Sequence, residues 1–458
     1  MTDLIADAAT GATVSRPHYP FEVKSRDVFR IAIPASIAFI TEPLVGLVDI
    51  TAIGRLGDAG LLGGLVLGAL VFDTIFSLAY FLRLGTAGLT AQAIGARDPR
   101  DALMHVSRAI LVAVIFGVLL IALTQPLLWA SNTVLAPDPS VKAALATYFA
   151  VRILGAPFSL INYALLGWFY GRANARTGMA LQILIHGVNI GLNIVFVFGL
   201  GWGVAGTAAA TVCGNAAAAL VGMYVLARHF GGVRKLVGLI VPAELFDAAA
   251  LRRMFSLSRD ITIRSIALMA SYAYFAAVGS RAGEVVLSGN ALLMNFMMVS
   301  SFFLDGVAQA SEQLCGKAVG ANWRPAFDGA VRLAMIWAML IALAVASIWM
   351  IGGQALIEVM STNADVRTHA ETYLPMVALA AVTGAPAFVM DGVLAGATLN
   401  TLMRNGMLLA LAVYLLVAPL LQHAWGNTGL WLAIQLFLVL RGGIFFAGMQ
   451  RRKVGLFN

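Results

Sequence analysis

Several ionisable side chains sit inside long apolar runs of this 458-residue sequence, and they are the residues with chemistry to offer. Asp49 closes the stretch Gly46-Leu47-Val48-Asp49, and Glu42 lies about two helical turns back, on roughly the same face. A charge in hydrocarbon needs a partner or a function, because even lenient insertion scales charge about 2.5–3.5 kcal/mol for Asp, Lys or Arg at the centre of a spanning helix. Asp49 is therefore a candidate for reversible proton or cation binding, weighed against a plainer role in tying helices together. Asn189 and Asn193 stack at i and i+4 on one helical face, where their amides are candidates to bond Asp49 or a cation. Polar side chains also glue helices in lipid without any further role.

The second half carries a stripe of its own, Asp305, Gln309 and Glu312 at i, i+4 and i+7. Arg264 and Asp391 are placed to join it, and Asp73 and Arg83 lie together in the second apolar run. These groups are either substrate contacts or structural ion pairs, since breaking a buried pair costs about 3–5 kcal/mol and such pairs persist for register alone. Met294, Met297 and Met298 offer an adaptable apolar lining, although lipid- or core-facing positions are the preferred reading. The six histidines, at 18, 105, 186, 229, 369 and 423, show no paired spacing, and His186, inside a run, reads as a hydrogen-bonded packing residue. No H-E-x-x-H, G-x-S-x-G or Walker A pattern occurs, and Gly316-Lys317-Ala318 lacks both the leading glycine and the Ser/Thr of a phosphate loop. An intramembrane enzyme would need paired catalytic residues, and none is evident.

Composition dictates what must position these groups. The chain is 60% hydrophobic and 11% charged, against roughly 25% charged in soluble domains, so lipid is its main solvent. Runs at 28–53, 60–82, 109–130, 143–170, 178–200 and 204–227 meet the requirement of roughly 20 apolar residues for a bilayer span. Runs at 261–280, 285–315, 329–352, 372–399, 404–422 and 428–448 give a second set of six. The sets are copies: Ala93-Ile94-Gly95-Ala96 returns as Ala318-Val319-Gly320-Ala321, Gly155-Ala156-Pro157 as Gly384-Ala385-Pro386, and Trp202-Gly203-x-x-Gly206 as Trp425-Gly426-x-x-Gly429, all about 225 residues on. An even number of spans per copy gives both the same orientation. The expected fold class is an all-α polytopic membrane protein, two six-helix lobes related by a pseudo-two-fold axis along the membrane normal, an architecture in which transporters place substrate between the halves.

Loop charges set the topology. Arg16, Lys24, Arg26, Arg30, Arg97, Arg100, Arg172 and Arg176 fall on one side, with the connector's Arg228, Arg234, Lys235, Arg252, Arg253 and Arg259 and the tail's Arg451, Arg452 and Lys453. Arg55, Lys142, Arg281 and Arg367 are isolated on the other, so the positive-inside rule puts both termini in the cytoplasm. The net charge of +8 is accounted for by loops beside anionic lipid and calls for no nucleic-acid partner. Residues 1–27 read as a cytoplasmic segment without a cleavable signal, 28–228 as an N-lobe, 229–258 as a connector, 259–450 as a C-lobe and 451–458 as a cytoplasmic tail. Cys213 and Cys315 form no pair, and no metal site or organic cofactor is expected.

Leu44-Val45-Gly46-Leu47-Val48-Asp49-Ile50-Thr51-Ala52-Ile53-Gly54 and Phe81-Leu82-Arg83-Leu84-Gly85-Thr86-Ala87-Gly88-Leu89-Thr90-Ala91-Gln92-Ala93-Ile94-Gly95-Ala96 resemble the multidrug and toxic compound extrusion family, in its DinF-like branch. Gly167-Trp168, Val204-Ala205-Gly206-Thr207-Ala208-Ala209-Ala210-Thr211 and Leu304-Asp305-Gly306 extend the resemblance over nearly the whole chain. It implies twelve helices around a V-shaped cavity and export of amphipathic, often cationic compounds in exchange for protons, here favoured, or Na⁺. Under it Asp49 is the coupling aspartate, Asn189, Asn193 and Thr211 are its partners, and Pro34 is the point where the first helix bends. One branch has a second aspartate where this chain has Asn193, and another an acid on the seventh helix, where 261–280 has none. Asp391 approximates a tenth-helix acid. The expected protein is a monomeric inner-membrane antiporter meeting small amphipathic organic substrates and membrane lipids; the alternative is a flippase for lipid-linked intermediates, which a strongly basic cavity would favour.

Overall fold

The computed structural model describes residues 18–457, so the expected N-terminal segment lies outside it up to residue 17, as does the last residue of the expected tail. Among the described residues there are helices and no strands. This is what lipid demands, because a helix satisfies its backbone polar groups within the segment. The first half comprises α1 (Ser25–Gly54), α2 (Ala59–Leu78), α3 (Phe81–Gly95), α4 (Pro99–Ala122), α5 (Thr124–Leu135), α6 (Pro139–Arg152), α7 (Ala156–Gly171), α8 (Ala175–Asn193) and α9 (Gly203–His229). Short helices α10 (Val233–Leu239) and α11 (Pro242–Leu245) lead to α12 (Ala248–Arg281), α13 (Glu284–Gly320), α14 (Arg324–Met360), α15 (Ala364–Gly396) and α16 (Asn400–Arg452).

Among the described residues eleven helical stretches are long and apolar enough to span a membrane. The last of them is two spans. At 1.5 Å per residue a straight α16 would run to roughly 80 Å, far beyond a core of about 30 Å, and the chain folds over at Trp425 (φ −132°) and Gly426 (φ +56°). That is the repeated Trp-Gly pair, whose first copy turns the chain between α8 and α9 with Gly203 at φ +53°. Two spans tighten part-way along their length: α2 runs into α3 through a turn at Ala79-Tyr80, and α6 runs into α7 through one tight turn at Ile153–Gly155. The third span differs from expectation, because the helix stops at Ala122 and α5 is a separate short helix with Trp129 and Val134 largely exposed. The connector is also shorter than expected: α12 starts at Ala248, capped by the Asp247 side chain on the Ala250 amide.

The duplication reaches down to single backbone angles. Arg97, Ala173, Asn322 and Thr398 all take left-handed φ, between 49° and 58°. Each follows a helix that ends with the same bond from the next residue back to a carbonyl five earlier: Asp98 to Ala93, Asn174 to Phe169, Trp323 to Ala318 and Leu399 to Leu394. This Schellman-type closure pairs otherwise orphaned carbonyls, and it lets the next helix start at once on the basic face.

The lobes are bound to each other on that basic face. α13 packs against α1 and α3, α15 against α3, and α14 against α1. Tyr19 N donates to Ala321 O at 2.9 Å, Gln92 Nε2 donates to Gly396 O at 2.8 Å, and the rings of Phe29 and Trp337 meet at 4.4 Å. Glu244 of α11 pairs with Arg100 and accepts through its carbonyl from Arg108 at 2.8 Å, which pins the connector to α4. Further from the basic face the ties thin out: Ser36 to Phe303, Thr262 to Leu78, and Ser77 to Met269. Arg83 to Gln309 is a further such tie, and besides these, among the described residues, no hydrogen bond crosses between the lobes away from the basic face, so the structure is closed at the basic face and free to part at the other.

Candidate functional site

Asp49 is 9% exposed and its carboxylate accepts one side-chain hydrogen bond, from Asn193 Nδ2 at 2.5 Å. The geometry starts from α8, where i, i+4 spacing stacks Asn189 and Asn193 and the helix then widens into a π-turn over Ile194–Gly199. Such turns concentrate at functional sites because they re-aim side chains. Thr207, Thr211 and Asn215 form the facing stripe on α9. Thr207 Oγ1 donates to Asn193 Oδ1 at 3.3 Å, and Asn189 Nδ2 donates to Thr211 Oγ1 at 2.8 Å. Thr211 in turn donates to the Thr207 carbonyl, and Asn162 Nδ2 donates to Asn215 O. The four expected residues thus share one network. Only Asn193 touches Asp49, however, while Asn189 Oδ1 is buried and unpartnered.

Among the described residues no cation contacts Asp49. The one whose field reaches it is Arg152, at the end of α6, which also acts on Asp73. Its guanidinium lies over the rings of Phe76 at 5.0 Å and Phe72 at 5.3 Å, and its Nη1 is buried without a partner. Sequence reading missed Arg152, Thr207, Asn162 and Asn215; a lone arginine within the run 143–170 was the signal available.

Glu42 does not share a site with Asp49. The two lie about 10 Å apart along the helix axis at 1.5 Å per residue, and Glu42 is exposed, with Arg83 and Asp73 as its electrostatic neighbours. Pro34 lies buried in the first half of α1, and a second proline, Pro43, interrupts the same helix directly after Glu42.

Arg83 crosses to the other lobe. Its Nη2 donates to Gln309 Oε1 at 3.2 Å, and Gln309 Nε2 donates to Glu312 Oε2 at 2.8 Å. The C-lobe stripe thus shares one cation, since Arg83 acts on Asp305 as well as on Glu312, and Asp305 alone also faces Asp391, Arg264 and Arg441. Asp391 is held by Arg264 and by Arg441 Nη2, the latter at 3.0 Å. Arg441, fully buried with its guanidinium 5.3 Å from the Phe388 ring, is a partner that the sequence reading did not name.

Beside this cluster Tyr272, Met294, Met297, Met298, Phe388 and Leu438 help line a cavity of about 260 Å³, so the three methionines meet a pocket and not only lipid or core. His186 also departs from expectation, with Nε2 buried and unpartnered. The residue just before the expected seventh span, Asp260, is 1% exposed and is held by Arg404 at 2.6 Å and Thr401 at 2.7 Å.

Comparison with known proteins places this arrangement. The MatE family profile matches residues 34–195 and 261–421, one stretch in each copy of the repeat. DNA damage-inducible protein F of Escherichia coli is 33% identical over 429 residues, covering 93% of this chain and 92% of that protein. The chain belongs to the multidrug and toxic compound extrusion family. As a MATE protein it is a multi-pass membrane transporter and not an enzyme. The probable multidrug resistance protein NorM of Pasteurella multocida is 23% identical to this MATE chain, with 94% of the chain and 95% of the relative covered. A solved MATE transporter in a bent conformation superposes with a TM-score of 0.85 at 20% identity, over 95% of this chain and 99% of that one. An outward-facing multidrug resistance MATE transporter superposes at 0.84, also at 20% identity, over 94% and 96%. The two-lobe, twelve-span fold of this MATE chain is therefore that of the family.

Proposed function

We propose that this MATE transporter exports amphipathic, cationic compounds across the inner membrane in exchange for protons, by alternating access. Both termini are cytoplasmic, a single chain suffices, and no cofactor takes part. The carrying observation is Asp49, a buried carboxyl group with one neutral amide partner and no ion pair. A carboxyl group so placed holds a proton or a substrate-linked charge but is poorly supported when bare, since a lone charge buried in a spanning helix is costly without a partner. Proton loss therefore changes the energy of the N-lobe, and a ligand that binds one lobe arrangement better than the other turns that change into rocking. Sodium is the second choice of coupling ion. Oxygens of Asp49, Asn189, Asn193 and Thr211 are within one network, but the cluster offers a single carboxylate. The names of the multidrug relatives support the substrate class, and the exposed acids Glu42 and Asp73 favour cations over the lipid-linked anions of a flippase.

Proteoliposomes holding the full chain test this reading. A pH gradient alone should drive uptake or release of a fluorescent cation, a Na⁺ gradient alone should not, and Asp49→Asn should abolish the response while leaving the folded protein intact. Wild-type rates from Asp49→Asn, or transport driven by Na⁺ alone, overturn it.

A further inference from the structure

Arg83 is a buried cation with no anion in contact. Its guanidinium carbon stands 4.5 Å from the Phe39 ring centroid, 4.8 Å from that of Tyr80 and 5.4 Å from that of Tyr170. These rings come from α1, from the break between α2 and α3, and from α7, so the charge is caged from three directions. Its side-chain hydrogen bond goes to a neutral oxygen, that of Gln309, and its Nε is buried without a partner. Glu42 and Glu312 act on it only from beyond ion-pair distance. Next to the cage Tyr80 and Tyr163 are half-buried with ring centroids 6.1 Å apart, and the nearby acids Glu42 and Asp73 are exposed.

We propose that the cage of Phe39, Tyr80 and Tyr170 receives the positive charge of an organic cation, and that Arg83 occupies it only while no substrate is bound. An arriving cation displaces the guanidinium and thereby releases the Arg83–Gln309 tie between the lobes. The proposal rests on the cation-export reading and adds the site and the trigger.

Aromatic faces attract charge without needing hydrogen bonds, so a quaternary or delocalised cation is fully satisfied in such a cage. A guanidinium in the same place leaves a buried donor unpaired, which makes it the weaker occupant. The exposed acids Glu42 and Asp73 draw cations toward this region. Among the described residues Arg83–Gln309 is also the sole fully buried side chain to side chain hydrogen bond between the lobes. Breaking it gives the substrate different interactions in the two lobe arrangements, which any ligand-driven transition requires.

Equilibrium binding of tetraphenylphosphonium to the full chain in detergent tests the proposal. Arg83→Ala should bind it about tenfold tighter than wild type, the affinity scale of one desolvated cation–π contact. Arg83→Lys should stay near wild type, because an ammonium still fills the cage. The double variant Arg83→Ala with Tyr80→Leu should lose the gain. If Arg83→Ala does not fold, Arg83→Met keeps the stem and carries the same expectation. Wild-type binding that the charge-removing variant leaves unchanged or weakens overturns the inference and leaves cation export standing, whereas no binding by any of the proteins overturns both.

Discussion

Gly95 and Gly320 face each other across the junction of the lobes, each packed on the carbonyl of the residue three before the other. A Cβ on Gly95 would run into the Lys317 oxygen and one on Gly320 into the Gln92 oxygen, both well under the 3.0 Å that real Cβ atoms respect. The two glycines are the matching members of the repeated motif, so the duplicated segments seal the transporter by meeting each other. The close approach needs the missing side chain and not an unusual backbone angle.

Widening that seal should expose what lies behind it. Gly320→Ala overpacks the junction at a cost of about 1–3 kcal/mol. Cys315 is completely buried one residue before Gly316, which itself packs on Ala91. In a Cys213→Ser background, labelling of Cys315 by a water-soluble maleimide should rise by roughly tenfold. Unchanged labelling would mean that the glycine contact does not hold the basic face shut.

The Arg264–Asp391–Arg441 cluster predicts an asymmetry in stability. Asp391→Asn leaves two buried guanidiniums without a contacting anion and should cost about 3–5 kcal/mol. Arg264→Met leaves Asp391 paired with Arg441 and should cost less. Melting temperatures in detergent decide the order, and equal losses would show that Arg441 does not hold Asp391 in solution.

Coupling and the interlobe tie reside in different groups. Glu312→Gln removes the acid beyond Gln309 but leaves the Asp49 network untouched, so substrate affinity should fall while proton release on substrate addition persists. Proton release in weakly buffered detergent reads this out. Loss of release in Glu312→Gln beside normal release in Asp49→Asn would move coupling to the C-lobe.

Topology rests on loop charge and is directly measurable. A reporter active only in the cytoplasm, fused after Asn458, should give signal, and one active only in the periplasm should be silent. The reverse pattern would invert the assignment of the basic face to the cytoplasm.

The sequence by itself determined the lipid-solvated helices, their number and their duplication, because span length is set by bilayer thickness and the repeated motifs survive as text. It also singled out Asp49, since the cost of charge in hydrocarbon marks an unpaired acid wherever it lies, and it put Asn189 and Asn193 on one face by helical spacing alone. Only the tertiary structure decided partners. Spacing says which way a side chain points along its own helix and nothing about which helix it meets, so Arg152 near Asp49, Arg441 on Asp391 and Gln309 under Arg83 were not legible. For the same reason Glu42, read as a companion of Asp49, belongs with Arg83 and Asp73 instead. Which face of the transporter is closed was likewise a matter of packing: the glycines were visible in the sequence, but that Gly95 meets Gly320 depends on how two copies of one fold dock against each other.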